Sequence, residues 1–142
     1  MWKMIWPVLV VVLGNTFYNI CQKSTPSEIN PFCTLMITYL VAAFVTGIIF
    51  LCTVHGFSGA GEELRKLNWA SLILGIAIIA LELGMLYLYR VGWNISIGPF
   101  VCNTVLAVVL LIVGFVFYGE SINVKQIIGL LICTGGLILI TI

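Results

Sequence analysis

Residues 69–89 read WASLILGIAIIALELGMLYLY, an apolar run interrupted by one acidic side chain, Glu82. A crossing of the bilayer hydrocarbon takes about 20 mostly apolar residues in helical form, and this stretch has that length. A charge near the bilayer centre costs roughly 3 kcal/mol even on the most lenient insertion scale. Such a side chain is expected to turn towards a helix bundle or a wet cavity rather than towards lipid. The run therefore decides the fold class and marks Glu82 as a candidate site at the same time.

Four further runs have the same character, 4–22, 32–54, 97–118 and 124–142, so five spans in all are predicted. None shows the period-2 alternation of barrel strands, and only helices or closed barrels satisfy backbone groups in lipid. The reading is all-α: a polytopic integral membrane protein of five transmembrane helices forming a single domain over 1–142. The connections carry turn residues. KSTPSEINP holds two prolines, HGFSGAGEELRKLN holds three glycines and the densest run of charge, Glu62, Glu63, Arg65 and Lys66, and RVGWNIS and GESIN are short. Trp2, Trp6, Trp69 and Trp93 fall near span ends, where aromatic side chains sit at the membrane interface.

Composition agrees. The chain is 62% apolar and 8% charged, against about 25% charged in a soluble domain. A net charge of +1 leaves no basic patch for nucleic acid, and no polybasic cluster exists to recruit anionic lipid. The N-terminal run could pass for a secretory signal, but it ends in Asn15, Tyr18, Asn19 and Gln22 without an A-x-A-like site, so it reads as a retained helix. Lys3, Arg65, Lys66 and Lys125 fall on the side of the N-terminus and Lys23 and Arg90 on the other. That bias weakly favours a cytoplasmic N-terminus and is small enough to permit insertion in both orientations.

The five cysteines, Cys21, Cys33, Cys52, Cys102 and Cys133, are dispersed with no C-x-x-C. They read as small packing residues, not as a disulfide framework or metal site. His55 stands alone in a loop with no ligand partners at metal spacing. No cofactor is called for. There is no Ser/His/Asp set, metal spacing or phosphate-binding glycine loop, so the chain does not read as an enzyme.

Polar residues run in stripes. Asn15, Tyr18, Asn19 and Gln22 follow the i, i+3, i+4, i+7 pattern of one helix face, continued by Lys23. Thr34, Thr38, Ala42 and Thr46 form a mildly polar ridge on the second helix, where threonines can simply bond their own backbone. Glu82 shares a face with Met85, Leu86 and Tyr89, and Asn103 follows Pro99 by one turn. Removal from water disfavours the charged form of a carboxyl. Glu82 can then take up a proton from one side and release it to the other, or hold a cationic substrate when ionised. The competing reading is a structural ion pair with Arg90 or Lys23. On the last helix Gly129, Cys133 and Gly136, with Gly135 alongside, make a small-residue face suited to close helix contact, either between protomers or within the chain.

The stretch 99–140, PFVCNTVLAVVLLIVGFVFYGESINVKQIIGLLICTGGLILI, resembles the end of an EamA-type domain of the drug/metabolite transporter superfamily. The proline opening the fourth helix, the Gly119-Glu120 turn, the following I-G and the glycine-containing last helix carry the resemblance, as does Lys23 closing the first helix. Members usually join two five-helix domains in one chain. The resemblance thus implies half of a ten-helix inverted-repeat architecture, which pairs as an antiparallel homodimer or with a sister subunit in a bacterial or archaeal plasma membrane. The related small multidrug resistance proteins have a glutamate eight residues before the lysine; here that position is Asn15. Either its role has moved to Glu82 or coupling works otherwise. Glu120, just outside a span, reads as a cap of the final helix.

These readings converge on a secondary transporter of small polar or cationic metabolites, proton-coupled, with Asn15, Tyr18, Asn19, Glu82 and Asn103 contacting the substrate. Two alternatives stay open. One is a flippase-like carrier of an amphipathic lipid-linked substrate, the other a non-transporting membrane subunit whose polar stripe is an interface.

Overall fold

Asparagine sets three of the helix starts. Asn30 accepts a hydrogen bond from the Phe32 N–H at 2.9 Å through its side-chain oxygen, with Pro31 at the first helical position. Asn68 accepts from the Ala70 N–H at 3.1 Å, and Asn123 from the Lys125 N–H at 3.1 Å. Each satisfies an amide that has no partner within its own helix. A fourth helix opens on Gly98-Pro99, where the missing proline N–H costs nothing.

The structure is a computed structural model and describes residues 2–54, 57–121 and 123–141. Its helices are α1 (Trp2–Ser24), α2 (Pro31–Thr53), α3 (Phe57–Arg65), α4 (Trp69–Arg90), α5 (Gly98–Tyr118) and α6 (Val124–Thr141). The expected spans at 4–22, 32–54, 69–89 and 97–118 are matched within two residues at every described end. Four helical stretches, Ile5–Ser24, Pro31–Thr53, Trp69–Arg90 and Gly98–Tyr118, are long and apolar enough to cross a membrane. The fifth expected span, 124–142, is also helical, over Val124–Thr141.

One connection needs correcting. HGFSGAGEELRKLN was read as a loop, yet Phe57–Arg65 within it is helical. Gly59 and Gly61 lower helix propensity, but α3 packs on α2 and buries Ala60 to 8% exposure. Gly59 has a steric role: a β-carbon there would lie 2.6 Å from the backbone oxygen of Val54. The glycine that reads as a breaker is what lets α3 come down on the end of α2. His55, also in this connection, lies outside the described residues.

The chain falls into two compact units, Met1–Lys23 with Val91–Ile142, and Ser24–Arg90. In the first, α5 packs on α6. The backbone N–H groups of Gly119 and Glu120 both donate to the Gly114 carbonyl, with Gly119 in the left-handed region at φ 64°. In the second unit α2 packs on α4 and on α3. Its centre is Leu35 from α2 and Leu86 and Tyr89 from α4.

Among the described residues only Leu35, Ala60, Leu86 and Tyr89 are buried apolar side chains, while leucines, isoleucines, valines and phenylalanines on every long helix are exposed. Water would not tolerate so much exposed apolar surface around so small a core; lipid does. The cysteines follow the same logic. All five are free, as expected, but all five are exposed rather than packed inside the chain. Hydropathy cannot distinguish a residue facing lipid from one facing a neighbouring helix, because both surroundings are apolar.

Candidate functional site

In the first unit, α1 lines an open cleft of about 400 Å³ with Val12, Asn15, Thr16, Asn19 and Ile20, opposite Ile95 and Pro99. Small-molecule sites occupy roughly 300–1,000 Å³, so the space suits a small solute. The α1 side of the cleft lies within the apolar stretch Ile5–Ser24, and its other side, Ile95 and Pro99, lies just before and at the start of α5. Its polar wall is amide: Asn19 Nδ2 donates to Asn15 O at 2.7 Å and to Asn15 Oδ1 at 2.9 Å. Asn19 is only 9% exposed. The Thr16 hydroxyl donates to Val12 O at 2.8 Å, which leaves its lone pairs facing outward. The cleft walls carry no charged side chain.

The stripe continues one turn beyond the cleft. Gln22 Nε2 donates to the Tyr18 hydroxyl at 3.1 Å, and Gln22 is 9% exposed with its Oε1 sealed off and without a hydrogen-bond partner. An amide turned the other way would leave its nitrogen over instead, so one end of this side chain is unsatisfied in either orientation. Lys23 Nζ donates to the Trp93 carbonyl at 2.9 Å, tying the end of α1 to the segment before α5.

In the second unit Glu82 is half-buried on α4, on the same face as Leu86 and Tyr89. Its electrostatic neighbour on α2 is Tyr39, whose hydroxyl is buried without a hydrogen bond. A sealed, unpaired hydroxyl costs about 1–3 kcal/mol, so this face is polar without being satisfied. Among the described residues Glu82 has no salt bridge; Arg90, in the same unit, donates to the Ile29 carbonyl and stacks 5.8 Å from the Tyr87 ring centre. Among the described residues the one salt bridge is Lys66–Glu63, exposed on and just beyond α3.

The five residues singled out as substrate contacts are thus distributed. Asn15 and Asn19 share the cleft. Tyr18 is paired with Gln22 one turn away. Asn103 is exposed on α5 and is not a wall of the cleft, and Glu82 belongs to the other unit. Ile95 and Pro99, which close the cleft opposite α1, were missed, since apolar walls have no pattern of their own in an apolar chain. The threonine ridge behaves as its plainer reading predicts: Thr38 Oγ1 donates to Thr34 O at 3.0 Å and Thr46 Oγ1 to Ala42 O at 2.7 Å. Glu120 does not cap α6. That role falls to Asn123 with Gln126, whose Oε1 accepts from the Asn123 N–H at 2.9 Å in a reciprocal box. Among the described residues no group of His, Cys, Asp or Glu could hold a metal ion.

On α6, Gly129 and Cys133 are exposed and Gly136 half-buried. A β-carbon placed on Gly129, Gly135 or Gly136 would meet nothing within 4 Å, so among the described residues of the first unit these glycines seat no close helix contact.

Long apolar helices with exposed apolar faces define a multi-pass membrane protein. The chain belongs to the EamA-like transporter family, whose model matches residues 2–142; transport across a membrane is the activity of that family. No curated protein and no solved structure matches the chain.

Proposed function

We propose that the chain is half of a secondary transporter for small polar or cationic metabolites, completed by antiparallel pairing with a second copy or a sister subunit in the cell membrane. The observation that supports this most directly is the α1 cleft: space for a small solute beside a long apolar helix, with two asparagine amides on one wall and apolar side chains on the other. Neutral amides bind polar groups without the desolvation cost of a charge, so a solute can enter and leave. Glu82 is the proton-coupling group. It is the acidic side chain inside a long apolar helix, and no salt bridge among the described residues holds it ionised. Competition of proton and substrate for this carboxylate drives exchange by alternating access. The open glycine face of α6 is the surface on which the two halves meet, because backbones approach closely there.

The test is uptake into proteoliposomes over a panel of amines, amino acids and sugars, with and without a pH gradient. Gradient-driven uptake that is lost in both Asn19→Ala and Glu82→Gln proteins of normal insertion supports the proposal. Full activity in both removes it.

A further inference from the structure

A second cleft lies at the other end of the first unit and plays no part in the transport reading. It holds about 280 Å³, and its walls are Ala107, Leu110 and Leu111 of α5 with Glu120, Ser121 and Gln126 of the α5–α6 turn and the start of α6. Its polarity is graded along its length. The three α5 residues are apolar, and Ala107 lies eleven residues before Tyr118 at the end of the helix, roughly 16 Å into the span. The polar residues all sit beyond that end.

The polar end is also unspent. Glu120 has no ion pair or hydrogen bond from its carboxylate among the described residues, and Ser121 none from its hydroxyl. Gln126 commits its Oε1 to the Asn123 N–H, leaving its Nε2 hydrogens to donate. The turn brings the carboxylate back over α5: with the turn amides drawn onto the Gly114 carbonyl, Glu120 Oε2 lies over Gly114, where a β-carbon would meet it at 2.7 Å. Gly114 is itself buried. An acceptor charge thus stands beside two neutral donors at the mouth of an apolar slot, and no basic side chain is among the walls.

We propose that this cleft binds a membrane phospholipid with a primary ammonium headgroup, an ethanolamine lipid. Glu120 takes the ammonium, Ser121 and Gln126 donate to the phosphate, and an acyl chain lies against Leu110, Leu111 and Ala107. The absence of a counter-charge for a purely anionic headgroup selects the zwitterionic lipid. The three N–H donors of ethanolamine, which choline lacks, select it over a choline lipid.

Native mass spectrometry of the detergent-purified chain tests this, with phosphatidylethanolamine, phosphatidylcholine and phosphatidylglycerol of matched acyl chains. The ethanolamine lipid is retained about threefold more than the choline lipid, the size of one partly exposed ion pair, and the glycerol lipid least. Glu120→Gln brings ethanolamine retention down to the choline level. Leu110→Trp, which fills the apolar end, lowers retention of all three. Equal retention of ethanolamine and choline lipids by the wild type, stronger retention of the glycerol lipid, or a Glu120→Gln protein that binds as the wild type does would each overturn the assignment. None of these outcomes depends on transport.

Discussion

The polar face of α1 and that of α4 solve the same problem in opposite ways. The Ile5–Ser24 stretch has a mean hydropathy of 1.3 and spreads its polarity over four neutral side chains, whereas Trp69–Arg90 has 2.2 and concentrates it in Glu82. Neutral groups one turn apart can bond one another, and they do: Asn19 to Asn15, Gln22 to Tyr18. A lone carboxylate has no such recourse. Its neighbour Tyr39 keeps its hydroxyl buried and unbonded, and Arg90, in the same unit, is engaged elsewhere. A stripe whose members bond one another, the Gln22 Oε1 apart, gives a stable wall for a passing solute. An unsatisfied carboxyl gives a group that has to respond to its surroundings.

The contrast can be broken most sharply at Glu82. Glu82→Gln keeps the shape and removes the charge, and it is expected to abolish the response of transport to a pH gradient while the protein still inserts. A full response in proteoliposomes would mean that α4 carries no coupling group. Next in size is Asn19→Ala, which removes the donor of two hydrogen bonds and half of the amide wall. At about 1–3 kcal/mol for such a loss, transport at low substrate concentration should fall roughly 10- to 100-fold, with the pH response retained. If Asn19→Ala and Glu82→Gln altered the pH response alike, the division of labour between the two faces would be wrong.

Tyr39→Phe is expected to act in the other direction. It deletes a sealed hydroxyl without a partner, so the protein in detergent should unfold at a temperature equal to or a few degrees above that of the wild type, a gain of up to about 1 kcal/mol. A clear loss of stability would show that the hydroxyl has a partner in the folded protein. Thr38→Val and Thr46→Val should do least. Each removes a bond to the helix's own carbonyl, and both should stay within about 0.5 kcal/mol of wild type and transport normally. These two set the background against which α1 and α4 are read.

How much of this was visible in the chain itself varied with the kind of force involved. The long helices were legible to within two residues at their described ends, since the change from apolar runs to Pro, Gly, Asn and charge is sharp. The threonine ridge was legible because a threonine in an apolar helix has its own i−4 carbonyl within reach. α3 was not, because two glycines argue against a helix unless one knows that Gly59 must clear the Val54 carbonyl. The cap of α6 was given to Glu120 on charge alone, when the asparagine and glutamine three residues apart, Asn123 and Gln126, were the stronger local signal. The cysteines were read as small packing residues, and all five are exposed on this chain.

The amino-acid order alone determined that this protein lives in lipid, where most of its helices begin and end, and which helix faces are polar. Those properties follow from transfer free energy and local hydrogen bonding, which act on each segment separately. Only the tertiary structure decided which polar residues line a cleft, that Asn15 and Asn19 do and Asn103 does not, and that Ile95 and Pro99 close it. Only it decided, too, that Glu82 has no salt bridge among the described residues. In a chain whose outside is as apolar as its inside, hydropathy sets no direction for a helix to face, and the packing of one helix on another makes that choice.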